Sequence, residues 1–463
     1  DRAALLRQAE GLAAQGYRVL AFACRDWQQL PEPPVGDGIE TDLTFVGLAA
    51  LLAACGAEQG EQQSGALVLE VWAHAGQAAE RQVLEQQAAR FSGAQPDIDV
   101  RLTFIPERSY NAQVQAAAVA GELPDVLEFD GPFLFNYVWQ GRLLPLDGLL
   151  ADDTQRDLLP SIVRQGRYLG RLYGVGTFDS GLGIYARRSA LQAADVRIPA
   201  GPQDAWGSAE FEAVLRALAA QDTDGMVLDL KLNYAGEWFT YAFSPLLQSA
   251  GGDLIDRSAY QTAEGVLNGP HSVAAMSALQ DWFSAGYVDP NLDDAAFVTG
   301  RVALSWAGHW EYARYAAALG EDLLLLPLPD LGQGSRTGQG SWVWGITEGS
   351  DRPQAGARWL EFLLQPAEVL AIATANGAVP ATQTAVDRSA LYGRDGPLRL
   401  FTRQLRGGLS VPRPQTPAYP VITSAFQQAF RDIRNGADVQ ATLDAAVAII
   451  DQDIRDNQGY PPR

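Results

Sequence analysis

From Ala66 to the C-terminus, apolar positions along the chain switch between two periods. ALVLEVWA (66–73) is a short apolar run, and apolar residues then recur at helical spacing from Ala78 to Phe91. DVRLTFIP (99–106) alternates as a strand, a further helix is predicted over 110–120, and LPDVLEFD (123–130) predicts the next strand. Strand and helix in turn, with short connections, predict a mostly parallel sheet with helices on both faces. A similar alternation resumes after residue 180. There LGIYARRSAL (182–191) opens a second region, helices are predicted around 208–220 and 271–285, and GRVALSWAG (300–308) and DLLLLPLP (322–329) supply strands. PQAGARWLEFLLQPAEVLAIATAN (353–376) reads as helical, and two closing helices are predicted within 424–457. The simplest architecture is two α/β lobes joined by strands that cross between them. One lobe would comprise residues 66–178 and 341–395, the other residues 179–340 and 396–463. Ligands of such sheets bind beyond the carboxyl ends of strands, in the crevice.

The first 65 residues follow another pattern. RAALLRQAEGLAAQ (2–15) reads as an amphipathic helix closed by Gly16, and YRVLAFA (17–23) as a strand before a proline-rich loop. DLTFVGLAALLAACG (42–56) is apolar, and residues 55–65 form a polar, glutamine- and glycine-rich tether. A small α/β appendage over residues 1–54 is expected to precede the lobes.

Composition removes several function classes. The net charge of −21 leaves no basic stripe to neutralise phosphates, so a nucleic-acid partner is not expected. The only cysteines are Cys24 and Cys55, which excludes a disulfide framework or C-x-x-C site from the body of the chain. His74, His271 and His309 are too scattered in sequence to argue a metal site, and no cofactor is implied. No run of eighteen or more apolar residues predicts a spanning helix.

Several segments in shared order resemble the extracytoplasmic sugar-binding proteins of ABC importers, the maltose-binding type, over about residues 66–460. They are VWAHAG, GELPDVLEFDG, QGRLLPLDGLL, RLYGVGTFDSGLGIYARRSAL, LLQSAGGDLID, GRVALSWAGHWEY, GSWVWGITEGSD and RPQTPAYPVITSAFQQAFRDIRNGADVQATLDAA. The resemblance implies a two-lobed type II periplasmic-binding-protein fold that closes on a sugar at a hinge. It also implies a monomer, without enzymatic activity, that docks on membrane permease subunits. The implied location is periplasmic or at the cell surface. LAAC with the following Gly56 resembles a lipobox, which makes Cys55 a candidate lipid anchor; the alternative is a plain buried helix with a free thiol. Residues 1–48 resemble a piece of the nucleotide-binding domain of P-type cation-transporting ATPases, where the arginine matching Arg18 lies near nucleotide. The DKTG, KGAPE and DPPR motifs of that family are missing, so the segment reads as a fusion remnant or a mis-joined reading frame.

A sugar presents hydroxyls and apolar C–H patches, so its site needs carboxylates or amides together with aromatic faces. Trp72 and His74 end the first strand of the body, and Glu128 and Asp130 end the third. Asp179 sits at the crossover between lobes, where the family commonly has an acidic ligand residue. Trp238 follows in GEWF, and Trp306 and Trp310 flank Gly308 in SWAGHW. The resemblance implies stacking at Trp310. Strand alternation lets only one of Trp342 and Trp344 face the cleft, and Trp342 is the choice. Arg413 and Tyr419 complete the candidates near the C-terminal segment. Each has a structural alternative: core packing for the tryptophans, a turn or helix cap for the acids, an ion pair for Arg413. Paired carboxylates among tryptophans also describe a glycoside hydrolase, but nothing in the sequence sets two acids about 5–9 Å apart. A polyamine or peptide ligand on the same fold is the other alternative, and a polyamine would require several converging acids.

Overall fold

The computed structural model describes residues 17–24, 44–52 and 66–462 except 235, with side chains from residue 66 onward. The chain divides into two compact units, residues 1–65 and 66–463. In the first, β1 (Tyr17–Cys24) and β2 (Thr44–Leu52) pair antiparallel. The apolar stretch over 42–56 thus supplies a strand where a buried helix was the alternative. Cys55, the tether and the helix expected over 2–15 lie outside the described residues.

The second unit opens with β3 (Leu67–His74), α1 (Ala78–Ala94), β4 (Ile98–Ile105), α2 (Glu107–Ala120) and β5 (Val126–Asp130). Leu84, Ala88 and Phe91 fall on one face of α1 and are buried, so apolar spacing alone explains how this helix docks. β3 runs parallel to both β4 and β5. Their carboxyl ends, His74, Ile105 and Asp130, therefore reach one edge of the sheet. The fourth strand, β10 (Trp342–Ile346), is antiparallel to β5 and sets its first residue, Trp342, opposite Asp130. That edge collects side chains from four segments.

The second sheet contains β6 (Leu182–Arg187), β7 (Leu228–Asp229), β8 (Leu304–Gly308) and β9 (Leu323–Leu326) in the order β7-β8-β6-β9. Here β6 is antiparallel to both neighbours, and only β7 and β8 are parallel. The mostly parallel sheet read from the alternation thus holds for the first sheet and not for the second. Its strands pair with partners distant in sequence, and periodicity carries no information on their direction.

Each sheet has its own core. Leu69, Val71, Phe91, Val126, Trp344 and Trp359 pack around the first, and Leu182, Trp206, Phe243, Trp306, Phe426 and Phe430 around the second. Two short strand pairs lie outside both sheets: Phe178–Asp179 with Val379–Pro380, and Thr337–Gln339 with Ser410–Pro412. Of the helices that follow, α3 (Trp238–Ala250) and α4 (Pro270–Ser284) belong to the second region. The stretch 353–376 forms two helices, α5 (Pro353–Leu363) and α6 (Pro366–Asn376). Pro366 cannot donate to the preceding turn and disfavours helix at the residue before it, which ends α5 there. α7 (Tyr419–Arg434) and α8 (Val439–Asp456) close the chain.

Candidate functional site

A cleft of about 420 Å³ lies between the carboxyl edge of the first sheet and the second region. From the first region it receives His74, Glu80, Glu107, Asp130 and Trp342, and from the second Tyr234, Glu237, Trp238, Tyr241, His309 and Trp310; Arg413 comes from the C-terminal crossover.

At the tip of β3, His74 is buried between two carboxyls. Its Nδ1 lies 2.7 Å from Glu128 Oε2 and its Nε2 3.7 Å from Glu80 Oε2. Burial works against the imidazolium, but Glu128 and Glu80 outweigh it and hold His74 well above its usual range. Trp342 stacks flat on the imidazole, with ring centroids 3.9 Å apart and planes 2° from parallel, while Tyr110 meets Trp342 edge-on. One indole face is thus fixed against the protein by the positively charged ring beneath it.

The floor of the cleft is an ion-pair network. The Arg413 guanidinium donates from both terminal nitrogens to Asp130, with one contact at 2.7 Å, and from Nη1 to Glu237 Oε2 at 3.2 Å. Glu237 also accepts from the Tyr419 hydroxyl and, at 3.0 Å, from Thr423. Burial pushes the Glu237 carboxyl up to about 7, with Arg413 opposing and Asp130 adding to the rise. Gly340 admits this arrangement, because a Cβ there would lie 2.8 Å from Arg413 Nη2.

The opposite wall is aromatic. Trp310 donates its indole N–H to the Tyr234 hydroxyl at 3.0 Å, and Tyr234 donates onward to Glu311. Behind them lies Lys231, the only lysine of the chain and fully buried. Its Nζ is 2.8 Å from Asp294, 3.2 Å from Asp229 and 3.6 Å from Glu311. This chain of contacts fixes the Trp310 ring plane. Trp238 meets Trp310 edge-on at 5.9 Å and donates its own N–H to the Leu230 carbonyl. Gly308 leaves room for the indole, since a Cβ there would lie 2.1 Å from the Trp310 ring.

The described cleft brings together six of the expected residues: His74, Asp130, Trp238, Trp310, Trp342 and Arg413. It does not include Trp72, Glu128, Asp179, Trp306 or Tyr419. Glu128 and Tyr419 act one layer back, on His74 and Glu237. Asp179 is fully buried at the crossover, accepting from the Ser180 N–H at 2.8 Å and from Gln165 at 3.3 Å, and burial raises its carboxyl. Trp306 faces the second core against Phe243, because β8 alternation turns it away from the cleft. Trp72 packs partly buried beside Leu127 and Phe129. Trp344 belongs to the first core. Sequence reasoning passed over Glu80, Glu107, Tyr234, Glu237, Tyr241 and His309. Glu237 and His309 directly precede the chosen Trp238 and Trp310, so adjacency was the available signal. Glu80 and Glu107, in helical first turns, carried none.

Residues 86–397 match the family of bacterial extracellular solute-binding proteins. The chain belongs to that family. A solute-binding protein captures its ligand rather than converting it, and the fold agrees with that role. The acarbose-binding GacH receptor of Streptomyces glaucescens superposes with a TM-score of 0.70 at 20% identity, over 84% of this chain and 97% of that one. A cyclic α-maltosyl-1,6-maltose binding protein from Arthrobacter globiformis gives 0.69 at 23% identity, over 85% and 100%. UgpB of Mycobacterium tuberculosis, solved with glycerophosphocholine, gives 0.71 at 21%, over 86% and 100%. These likenesses establish the two-lobed type II binding-protein fold. An uncharacterized lipoprotein from Streptomyces antibioticus is 23% identical over 369 residues, 76% of this chain and 79% of its own length. Residues 1–48, with their ATPase resemblance, lie outside the family match. Among the described residues, no helix is long and apolar enough to cross a membrane.

Proposed function

We propose that this solute-binding protein captures a mono- or oligosaccharide in the cleft and delivers it to the permease subunits of an ABC importer. The supporting observation is the pairing of aromatic faces, Trp310 and Trp342, with carboxyls Glu107, Asp130 and Glu237 around one cleft. Rings take the C–H patches of a sugar and carboxylates take its hydroxyls. Structural neighbours solved with or named for maltose, cycloalternan and mannotriose support the same ligand class.

In this reading residues 66–178 and 341–395 form one lobe, and residues 179–340 and 396–463 the other. The sugar touches both and stabilises the closed form by its differential affinity. Cys55 anchors the protein by lipid, which leaves residues 55–65 as the tether; the lipoprotein relative supports this. The test is a titration of the full-length protein with mono- and oligosaccharides, followed by thermal shift. A ligand that binds only the folded state raises Tm with concentration over Kd. A saturable rise with one sugar is expected; a rise only with polyamines or peptides would replace the ligand class.

A further inference from the structure

The donors that line the cleft are largely spent inside the protein. The terminal nitrogens of Arg413 are given to Asp130 and Glu237, its buried Nε alone having no partner among the described residues, and both nitrogens of His74 face carboxyls. The indole N–H groups of Trp238 and Trp310 go to Leu230 and Tyr234. His309 donates Nδ1–H to the Asn376 carbonyl at 3.0 Å, and burial pushes its pKa down to about 4, so the ring is neutral and Nε2 is left as an acceptor.

Acceptors and negative charge remain. Four carboxyls line the cleft, Glu80, Glu107, Asp130 and Glu237, the last raised by burial to about 7, against two cations, His74 and Arg413. Glu107, at the first turn of α2, has no hydrogen bond or ion pair among the described residues; burial in the cleft raises its carboxyl, with the His74 ring opposing and Asp130 adding to the rise. The Ser341 hydroxyl, on a cleft residue only 7% exposed, also has no partner among them. An anionic ligand would meet this surplus of charge with few free donors to receive it. An ammonium would meet a carboxyl without an ion pair in a cleft that also carries indole and phenol faces, which attract cations.

Resting on the sugar-binding reading, we propose that the cleft selects glycosides carrying a protonated amine over the neutral and anionic forms of the same skeleton. Glu107 is the carboxylate that receives the ammonium, and the wall of Tyr234, Trp238 and Trp310 holds the ring.

The test uses the full-length protein and matched probes in calorimetry and thermal shift. The probes are glucosamine, galactosamine and the β-1,4-glucosamine trimer, each with its N-acetylated form and neutral parent sugar, plus glucose 6-phosphate and spermidine. At least one amine is expected to bind about tenfold or more tighter than its N-acetylated and neutral counterparts. That preference should shrink as salt rises, because the cleft is open to screening. Glu107→Gln should cost the amine about tenfold more than it costs the neutral counterpart, while Tm without ligand stays unchanged. Neutral or phosphorylated sugars binding as tightly as the amines would overturn the proposal and leave sugar binding intact. So would an equal effect of Glu107→Gln on every probe. Binding of spermidine with no response to any carbohydrate would overturn both readings, and so would silence from every probe.

Discussion

At the scale of single residues, two tryptophans four positions apart do different work. Trp306 is fully buried in the second core, so Trp306→Ala should cost about 3–5 kcal/mol in denaturant unfolding, from lost burial and the cavity left behind. Trp310 borders the cleft, and Trp310→Ala should weaken sugar binding about tenfold in fluorescence titration with a much smaller stability loss. Equal stability costs for the two would mean that Trp310 is core. Glu237 supplies a pH test. Burial raises its carboxyl to about 7 in the folded protein, against about 4.3 when unfolded, so between those values the folded state holds the extra proton. This group's contribution to stability therefore declines as pH rises through that window. Glu237→Gln should flatten the fall in Tm from pH 4.5 to pH 7, and an unchanged profile would place the titration elsewhere. The sequence offered Trp238 in GEWF and Trp310 in SWAGHW as candidates, the second because the resemblance implies stacking there, and the structure lines one cleft with both. The sequence did not show Glu237 or His309, since a charge beside a tryptophan looks the same on a solvated turn.

At the scale of elements, the first sheet was readable because local apolar alternation and helix spacing agree along 66–130. The parallel order of β3, β4 and β5 brings His74 and Asp130 to one edge without further assumption. Alternation along β10 also separates Trp342 from Trp344. The second sheet was less readable, since the partners of β6 return from distant segments and strand direction depends on those crossings. The turn after β8 is the element most exposed to a single change. Gly308→Ala places a methyl against the Trp310 ring and should displace the indole. Sugar affinity is then expected to fall about as far as in Trp310→Ala, with the change visible in the near-ultraviolet circular dichroism of the tryptophans. Unaltered affinity would show that the ring plane does not matter.

At the scale of the whole molecule, Arg413 joins Asp130 of the first region to Glu237 of the second at the floor of the cleft. A ligand that touches both walls should shift the protein toward a more compact form, read as a smaller radius of gyration by small-angle scattering at saturating sugar. A radius that stays constant while calorimetry reports binding would rule out hinge closure. The two-lobed plan was legible because matching segments recur in the same order along nearly the whole of the second unit. The ligand was not, because its recognition depends on which donors are already used, and that accounting exists only once distant segments meet.

Lys231 gives the second region a built-in reporter. It is the chain's sole side-chain amine and is sealed beneath Tyr234 and Trp310 by three acids. An acylating dye can therefore reach it only during excursions that expose the interior, so the rate of lysine labelling times those openings with no engineered probe. A bound solute that steadies the aromatic wall should slow that clock.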